Sequence, residues 1–255
     1  MNVTFEIKVY ENDWKYILYG DYLTKLINNC NHDFFCKQLI INNVKDVAKV
    51  VKYAEKKIKE GVIDKIIIVN EHESIVLDYF NLDKDSFKEG YNYSIAELTG
   101  IYFCQTEYLL HFSSDSFVKK IGFDWIKKGI EELEKDSRFI VANPTWNNKI
   151  EEAKSESNYE INDIFVGFGF SDQCYLIKTK CFKSTIYNET NDKSNRYPKY
   201  GGELFEKRVD AFMRNSGHLR ITFKNITYFH VNFPKKSFWN NFKLYNYFVA
   251  KNRLK

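Results

Sequence analysis

The sequence predicts an α/β fold in which helices flank a mostly parallel central sheet. Strand-like segments alternate with helix-compatible patterns from the amino terminus onward, and such alternation favours parallel strands joined by right-handed crossovers. The segment 64–70 is a continuous apolar run, which is typical of a strand buried on both faces of a parallel sheet. The 255 residues, 44% of them hydrophobic, suffice for one large domain with a substantial core.

The first third of the chain predicts three strands with helices between them. The first strand alternates over residues 4–10, and Asn12 and Asp13 then offer a turn and an N-cap for a helix. The second strand covers 37–43, and the apolar run 64–70 is the third. The helix between the second and third strands has one apolar face, formed by Val44, Val47, Val51, Ala54 and Ile58.

The rest of the chain continues the alternation. Helices are predicted over 93–101, 123–135 and 203–215, and strands over 108–112, 138–144, 174–177, 220–223 and 226–231. Pro144 is expected to end its strand. The polar span 151–162 has no periodicity and is predicted to be a surface loop. Residues 185–202, which end in Gly201 and Gly202, are predicted to be a mobile loop beside a site.

A polar turn after the strand 108–112 carries the strongest functional signal. Ser113, Ser114 and Asp115 place one carboxylate among hydroxyls at the carboxyl end of that strand. Open α/β sheets bind their ligands at this edge. An aspartate flanked by serines is also common in plain turns, so the functional interpretation depends on the helices predicted before and after it.

Composition and charge exclude several classes of protein. The net charge of +4, with 38 basic residues interleaved with 34 acids, is unlike a dedicated nucleic-acid binder but suits a phosphorylated ligand. No apolar run reaches the roughly 18 to 20 residues of a membrane span, and the amino terminus lacks a secretion-signal profile, so a cytoplasmic location is expected. Five cysteines without a Cys-x-x-Cys pair indicate neither a disulfide framework nor a zinc site. The aromatic content of 17% suits sugar rings, or reflects an AT-rich genome.

The order of elements around Ser113, Ser114 and Asp115 resembles the core of GT-A glycosyltransferases, especially the family 2-like enzymes. In that family the motif is usually Asp-x-Asp, so Ser113 stands where the family has an acid, and the hold on a metal should be weaker. The resemblance extends over residues 1–235 as a single domain. It implies a Rossmann-like, mostly parallel central sheet, with a nucleotide-sugar-binding half (1–120) and an acceptor-binding half (121–235) that carries a smaller sheet.

The resemblance also implies a reaction and its donor-side residues. A sugar would pass from a UDP- or GDP-linked donor to a hydroxyl of a glycan or lipid-linked acceptor. Asp115 and His230 would hold Mn²⁺ or Mg²⁺ on the diphosphate, with Ser113 and Ser114 beside them. Val9, Tyr10 and Asn12, at the end of the first strand, would contact the nucleoside. Asn42 and Asn70, after the second and third strands, would lie at the same edge and are candidates for binding the donor. Each asparagine is equally a turn residue, and His230 equally an ordinary residue at a strand end.

An inverting enzyme of this kind uses a base to take the proton of the acceptor hydroxyl. Glu203, expected in the first turn of a helix, is the first candidate by position, because backbone N–H groups there favour its ionised form. Glu206 is the second candidate, and Asp172 is a candidate for binding the acceptor hydroxyl. A solvated helix face or a turn cap would explain the same residues, and a retaining enzyme would not need Glu203.

Residues 236–255 form a basic, aromatic C-terminal tail. It predicts an amphipathic helix that lies on an anionic membrane near a lipid-linked acceptor, or that packs on the domain. Two other functions stay open at this point. One is a non-catalytic nucleotide-sugar or glycan-binding module that kept the fold, for which Ser113 is the main argument. The other is nucleic-acid binding, against which the interleaved acids count.

Overall fold

The computed structural model describes residues 1–198, 202–234, 239 and 242–254, and within them ten strands form one sheet. The strands are β1 (Val3–Val9), β2 (Cys36–Ile41), β3 (Lys65–Ile68), β4 (Tyr108–Phe112), β5 (Ser116–Val118), β6 (Phe139–Trp146), β7 (Ser157–Ile161), β8 (Ile164–Gly167), β9 (Cys174–Lys178) and β10 (Leu219–His230). The helices are α1 (Trp14–Leu18), α2 (Tyr22–Asn29), α3 (Val47–Lys59), α4 (Glu73–Phe80), α5 (Tyr91–Phe103), α6 (Trp125–Leu133), α7 (Ile150–Ser155), α8 (Thr179–Phe182), α9 (Phe205–Ser216) and α10 (Lys243–Arg253). Short 3₁₀ helices cover Val69–Glu71, Lys84–Gly90 and Asp192–Arg196.

The strands follow the order β3-β2-β1-β4-β9-β6-β10-β8-β7, and β5 pairs with β10 outside this path. Strands β1 to β4 are parallel to one another. Strand β9 runs antiparallel between β4 and β6, and β10 is parallel to β6. The predicted α/β fold with a mostly parallel sheet is therefore confirmed. The strands of the second half, which the resemblance assigns to a smaller sheet, continue this same sheet.

Each face of the sheet is covered by its own hydrophobic core. The first core holds Phe5 and Ile7 of β1 together with apolar residues of α1, α2, α3 and α6. The second holds Leu109 of β4 together with residues of α4, α5 and α9. Because successive side chains of a strand point to opposite faces, Glu6 and Lys8 of β1 belong to the second side. Two charged residues thus enter a face that is otherwise largely apolar.

Two details of the first half differ from the prediction. The apolar run 64–70 forms β3 at the edge of the sheet, where it is only partly buried, because just one side of it has a partner strand. Helix α3 begins at Val47 and not at Val44, since Asp46 caps it by accepting a hydrogen bond from the backbone N–H of Lys49. The buried face of α3 is consequently centred on Val50, and Ile58 is exposed.

Pro144 does not end its strand as predicted. Strand β6 continues to Trp146 and pairs with β10 there. It pairs with β9 only at Val141 and Ala142, so one side of β6 is unpaired at Pro144. A proline is tolerated in a strand at a position where one side has no partner strand.

The polar span 151–162 is structured, which corrects the prediction of a loop. It forms part of α7 and then β7, whose residues are mostly exposed because β7 is the outer strand of a hairpin with β8. Asn162, with φ of 47°, turns the hairpin in the left-handed conformation that short hairpin turns require. The two predicted closing strands are likewise one strand, β10, with an irregularity between Phe223 and Thr227.

Helix α9 begins at Phe205, so Glu203 lies before the helix and not in its first turn. Glu206 is the acid of that turn. Helix α10 packs against α1 and α2. Residues 235–238, 240, 241 and 255 of the predicted tail lie outside the described residues. Within the described ranges, no helix combines the length and apolar character that crossing a bilayer requires.

Candidate active site

The carboxyl ends of β1 and β4 form the edge at which the predicted acidic turn lies. The backbone N–H of Ser113 donates to the carbonyl of Gln173 at 2.9 Å, which joins this turn to the segment before β9. The backbone N–H of Val231 donates to the carbonyl of Asp115 at 3.1 Å, which joins it to the end of β10. Three separate parts of the sequence are thereby fixed around Asp115.

Asp115 and His230, predicted as metal ligands, are brought together. His230 Nε2 lies 3.2 Å from Asp115 Oδ2, and both side chains are partly exposed. Burial opposes ionisation of Asp115, yet the hydrogen bond and the charge of His230 outweigh it and lower the pKa of the carboxyl below its usual range. The same hydrogen bond raises the pKa of His230 above its ordinary value, against the effect of burial. The edge therefore holds an anionic carboxylate next to a ring nitrogen.

Ser113, which replaces the first acid of the family motif, also acts on Asp115. Its hydroxyl donates to Asp115 Oδ1 at 3.0 Å. Because a hydroxyl carries one proton, the 2.7 Å contact between the Ser113 and Ser116 hydroxyls is then donated by Ser116. Ser113 thus orients Asp115 and contributes to the lowered pKa of this carboxyl.

Asp13 is a member of this edge that the sequence analysis assigned only to a helix cap. Its side chain makes no capping hydrogen bond to α1. It is buried, accepts from the backbone N–H of Tyr10 at 2.8 Å and accepts from the hydroxyl of Ser114. Burial raises the pKa of Asp13 well above its usual value, although both hydrogen bonds oppose this. Asp13 therefore ties the loop after β1 to the acidic turn.

A second group of charges lies on the face of the sheet that α5 and α9 cover. Lys8 Nζ contacts the carboxylate of the fully buried Glu97 and lies 3.4 Å from Asp172 Oδ2. The backbone N–H of Asp172 donates to Glu206 Oε2 at 3.4 Å. The Lys8 ammonium thus contacts two carboxylates, and Glu206 adjoins them through the backbone of Asp172. We call Lys8, Glu97, Asp172 and Glu206 the carboxylate cluster.

Glu206, a partly exposed member of this cluster, has a strongly shifted carboxyl pKa. Burial first, and the charge of Asp172 second, raise its pKa to about 8. Burial would lower the pKa of Lys8, but the charges of Glu97 and Asp172 outweigh it and raise that pKa. Lys8 is therefore cationic, while Glu206 changes its protonation state near neutral pH.

Glu203, the first candidate base, is placed differently. Its carboxylate lies 3.1 Å from Lys207 Nζ and 3.7 Å from Lys88 Nζ, and its backbone N–H donates to the carbonyl of Phe87. Glu203 thus makes ion pairs with lysines, whereas Glu206 lies among carboxylates.

The residues predicted to bind the donor are spread along the edge. Val9 is fully buried in the first core, whereas Tyr10 is 43% exposed and Asn12 is exposed beside it. Asn42 is mostly buried and donates from Nδ2 to the carbonyl of Asn92 at 2.9 Å, which ties β2 to α5. Asn70 is exposed after the edge strand β3, two strands away from β1. Tyr10 and Asn12 are therefore the accessible members nearest the acidic turn in the fold, because β1 pairs directly with β4.

The Asp115–His230 pair and the carboxylate cluster belong to one edge. Asp172 contributes to the raised pKa of His230, so the two groups are electrostatically coupled. Gln173, next to Asp172, accepts from the Tyr228 hydroxyl at 3.2 Å, and Tyr228 precedes His230 by two residues in β10. Hydrogen bonds and charge interactions thus connect Asp115 to Glu206 along this edge.

The residues present fit a divalent cation whose remaining coordination positions are filled by a bound substrate. Within the described part of the chain, no group of three or more His, Cys, Asp or Glu side chains could hold a metal alone. Asp115 and His230 supply two side chains. Mg²⁺ and similar cations are commonly held by one or two carboxylates together with substrate phosphates.

The predicted mobile loop 185–202 is partly outside the described residues, and Gly201 is among those. Its described part packs on the second core, since Tyr187 is fully buried. Gly202 has φ of 63°, and a Cβ there would lie 2.9 Å from the carbonyl oxygen of Phe87. Glycine is therefore required at this position, just before Glu203.

Lys8, Glu97 and Asp13 are members of the edge that the sequence analysis missed. A signal existed for Lys8, because a lysine alternates with buried apolar residues in β1. Glu97 lies in a helix pattern that reads as apolar, and its partner is 89 residues away in sequence. No local pattern predicts such a pairing.

No protein-family model matches this sequence, and no curated protein matches it significantly. Solved structures do resemble the fold. GalNAc-T7, solved with UDP, GalNAc and Mn²⁺, superposes with a TM-score of 0.54 and 10% identity, over 92% of this chain and 44% of that one. A mycobacterial protein gives 0.49 and 8%, over 92% and 68% of the two chains. Glucosyl-3-phosphoglycerate synthase from Mycobacterium tuberculosis, solved with Mg²⁺ and UDP, gives 0.48 and 9%, over 91% and 72%.

The likeness to GalNAc-T7 concerns the fold, because sequence identity is only 10%. This chain spans less than half the length of that structure. The GT-A architecture expected from the acidic turn is therefore confirmed, with Asp115 at the carboxyl edge of β4.

Proposed function

We propose that this chain, which has the GT-A fold, transfers a sugar from a nucleoside diphosphate sugar to an acceptor hydroxyl. The observation that carries the proposal is the Asp115–His230 pair, 3.2 Å apart at the edge where parallel α/β sheets bind ligands. Further support comes from the carboxylate cluster, which offers a base at the same edge. UDP-linked and GDP-linked sugars are both included in the donor class.

The donor side would be held by Asp115, His230 and the serine hydroxyls. Asp115 and His230 would bind Mn²⁺ or Mg²⁺, which when bound neutralises the charge of the leaving diphosphate. Ser113 lacks the charge of the family's first acid but fixes Asp115 by its hydrogen bond. Tyr10 and Asn12, exposed after β1, are the proposed contacts to the nucleoside, with Val9 forming the buried wall beneath them.

On the acceptor side, Glu206 is the proposed base and Asp172 the proposed partner of the acceptor hydroxyl. The acceptor oxygen forms a bond to the anomeric carbon as the bond from that carbon to the diphosphate oxygen breaks. The hydroxyl proton passes to the ionised form of Glu206, whose pKa of about 8 makes it a stronger base than an ordinary carboxylate and available as a base from about pH 8 upward. We place Glu206 ahead of Glu203 because Glu206 lies in the first turn of α9 beside Asp172, whereas the Glu203 carboxylate is engaged in ion pairs with Lys207 and Lys88. This assignment corresponds to inversion at the anomeric carbon.

The acceptor class we propose is a glycan or a lipid-linked sugar. Helix α10 exposes Leu244 and Phe248 on one side, with Lys243 exposed beside them. Arg253 of the same helix donates to the carbonyl of Asn232 at 2.5 Å, so the helix lies close to the strand that carries His230. Exposed apolar residues with neighbouring lysines suit the surface of an anionic membrane. Sedimentation with phosphatidylglycerol vesicles tests this contact, and protein that stays in the supernatant at low salt would contradict it.

A thermal-shift experiment tests the donor site. Adding UDP-glucose, UDP-N-acetylglucosamine or GDP-mannose with Mn²⁺ should raise the melting temperature, since a ligand at 100 times its dissociation constant stabilises by about 2.7 kcal/mol. Asp115→Ala should abolish the shift. Asp78→Ala, an exposed carboxylate on α4, is the matched control and should keep it. A shift that persists without Asp115 would refute the metal site.

The alternative function is a binding module that kept the fold without catalysis. Ser113 favours it, since one acid of the family motif is missing. The two functions differ in one result, because only an enzyme releases UDP or GDP when donor and acceptor are both present. Nucleotide-sugar binding without any release across a panel of acceptors would support the binding module.

A further inference from the structure

Lys8 is the one cation of the carboxylate cluster, and neighbouring carboxylates hold its ammonium group in place. It lies near the end of β1, on the face covered by α5. Its ammonium contacts Glu97, which is fully buried, and lies 3.4 Å from Asp172, which is partly exposed. A buried carboxylate on one side and a carboxylate of the site on the other make Lys8 a link between the core and the edge.

Glu97, which holds Lys8, belongs to a helix that packs closely against the sheet. Glu97 belongs to α5, and this helix approaches the sheet closely at Gly100, where an added Cβ would collide with the carboxylate of Glu6. Glu6 lies two residues before Lys8 and accepts a hydrogen bond from Gln38 and contacts His111 Nδ1 at 2.7 Å. The approach of α5 at Gly100 therefore also sets the position of Glu97 relative to Lys8.

The electrostatic surroundings of Glu206 come from four elements. They are Lys8 of β1, Glu97 of α5, Asp172 before β9, and Tyr197 in the segment after the 3₁₀ helix Asp192–Arg196. The charges of Asp172 and Glu97 disfavour ionisation of Glu206, while the charge of Lys8 favours it. Lys8 is the only cation among these four groups.

We infer that Lys8 is a positioning residue, which the buried Glu97 clamps in place and which holds the Asp172 carboxylate beside Glu206. This inference rests on the proposed function, in which Glu206 takes the acceptor proton. Lys8 acts through Asp172 and Glu206 and does not itself touch the reacting atoms. Its positive charge keeps two neighbouring carboxylates from repelling each other out of place, as close like charges would.

The first test is a carboxyl ¹³C NMR titration of Glu206 in the whole protein, with the signal assigned by its loss in Glu206→Gln. Lys8→Gln keeps a hydrogen-bond donor but removes the charge, so Glu206 should titrate about one pH unit or more higher. Glu97→Gln removes an anion and leaves Asp172 as the ion-pair partner of Lys8, so Glu206 should titrate at a lower pH. Lys8→Arg should restore the wild-type value. A purely structural role for Lys8 would not move the two variants in opposite directions.

Equal titration of Glu206 in wild type and Lys8→Gln, or shifts of the same sign in Lys8→Gln and Glu97→Gln, would overturn the inference. If Lys8→Gln fails to fold, Glu97→Gln alone decides: a lower value supports the inference, and an unchanged or higher value refutes it. The pH profile of sugar transfer should follow the NMR values, with the rise of the rate moving to higher pH in Lys8→Gln.

The two proposals fail separately. A wild-type protein that shows no melting shift with UDP or GDP sugars and Mn²⁺ refutes the proposed function, whatever Lys8 does. A normal melting shift in Lys8→Gln with an unmoved Glu206 refutes the role of Lys8 only, because Asp115 and His230 are untouched in that variant.

Discussion

The Asp115–His230 pair and the carboxylate cluster lie on one edge of the sheet, but the pKa values of their carboxyl groups are shifted in opposite directions. Asp115 faces His230 and the Ser113 hydroxyl, and these donors lower its pKa. Glu206 is partly buried beside Asp172, which raises its pKa to about 8. The difference teaches that the partners of a carboxylate, and not its residue type, decide whether it serves as a fixed anion or as a base.

The largest expected effect is on turnover, when the proposed base of the carboxylate cluster is replaced. Glu206→Gln keeps the shape of the side chain but cannot accept a proton, so kcat should fall by about 10²- to 10⁴-fold. The melting shift with nucleotide sugar and Mn²⁺ should be kept, because the donor site is unchanged. Steady-state kinetics measured beside the thermal shift check both parts.

Glu203→Gln is the matched control for this prediction, since Glu203 is three residues away and is paired with lysines. It should change kcat by less than about tenfold, in keeping with the small net value of exposed ion pairs. A larger loss in Glu203→Gln than in Glu206→Gln would reverse the two assignments.

A smaller effect is expected from pH on the proposed metal site. A histidine binds a cation only as a neutral ring, and the hydrogen bond to Asp115 raises the pKa of His230, so protons should compete with the metal there. The affinity for Mn²⁺ should therefore be full above the raised pKa of His230 and fall by about tenfold per pH unit below it. Titration calorimetry with Mn²⁺ and UDP at several pH values measures this.

The same measurement on His230→Gln provides the control, because glutamine does not titrate. Its Mn²⁺ affinity should be weaker at high pH and nearly flat with pH. An equally steep pH dependence in His230→Gln would assign the competing proton to another group.

The smallest expected effect is on the free energy of unfolding, at the place where α5 packs against β1 next to the carboxylate cluster. A Cβ at Gly100 would collide with the buried Glu6 carboxylate, so Gly100→Ala should lower the free energy of unfolding by about 1 to 3 kcal/mol. Urea denaturation measures the change. Gly122→Ala, where a Cβ would meet nothing within 4 Å, should stay within about 0.5 kcal/mol of wild type. A similar loss in both variants would show that crowding at Glu6 is not the cause.

Much of the acidic turn, the proposed donor side, could be predicted from the sequence, since it depends on local order. Ser113, Ser114 and Asp115 directly follow an apolar strand, and the carboxyl end of such a strand is where ligands bind. The carboxylate cluster, the proposed acceptor side, was harder to predict, because its helix begins two residues later than the pattern suggests. That offset moves Glu203 out of the first turn and puts Glu206 into it.

The sequence by itself determined the alternation of strands and helices, and with it the parallel α/β sheet and the acidic turn at its edge. Only the tertiary structure decided which distant charges meet. Lys8 and Glu97 are 89 residues apart, and Asp115 and His230 come from different halves of the chain. The physical reason is that hydrophobic periodicity is a local property, whereas the pKa of a carboxyl depends on charges within a few ångströms in space.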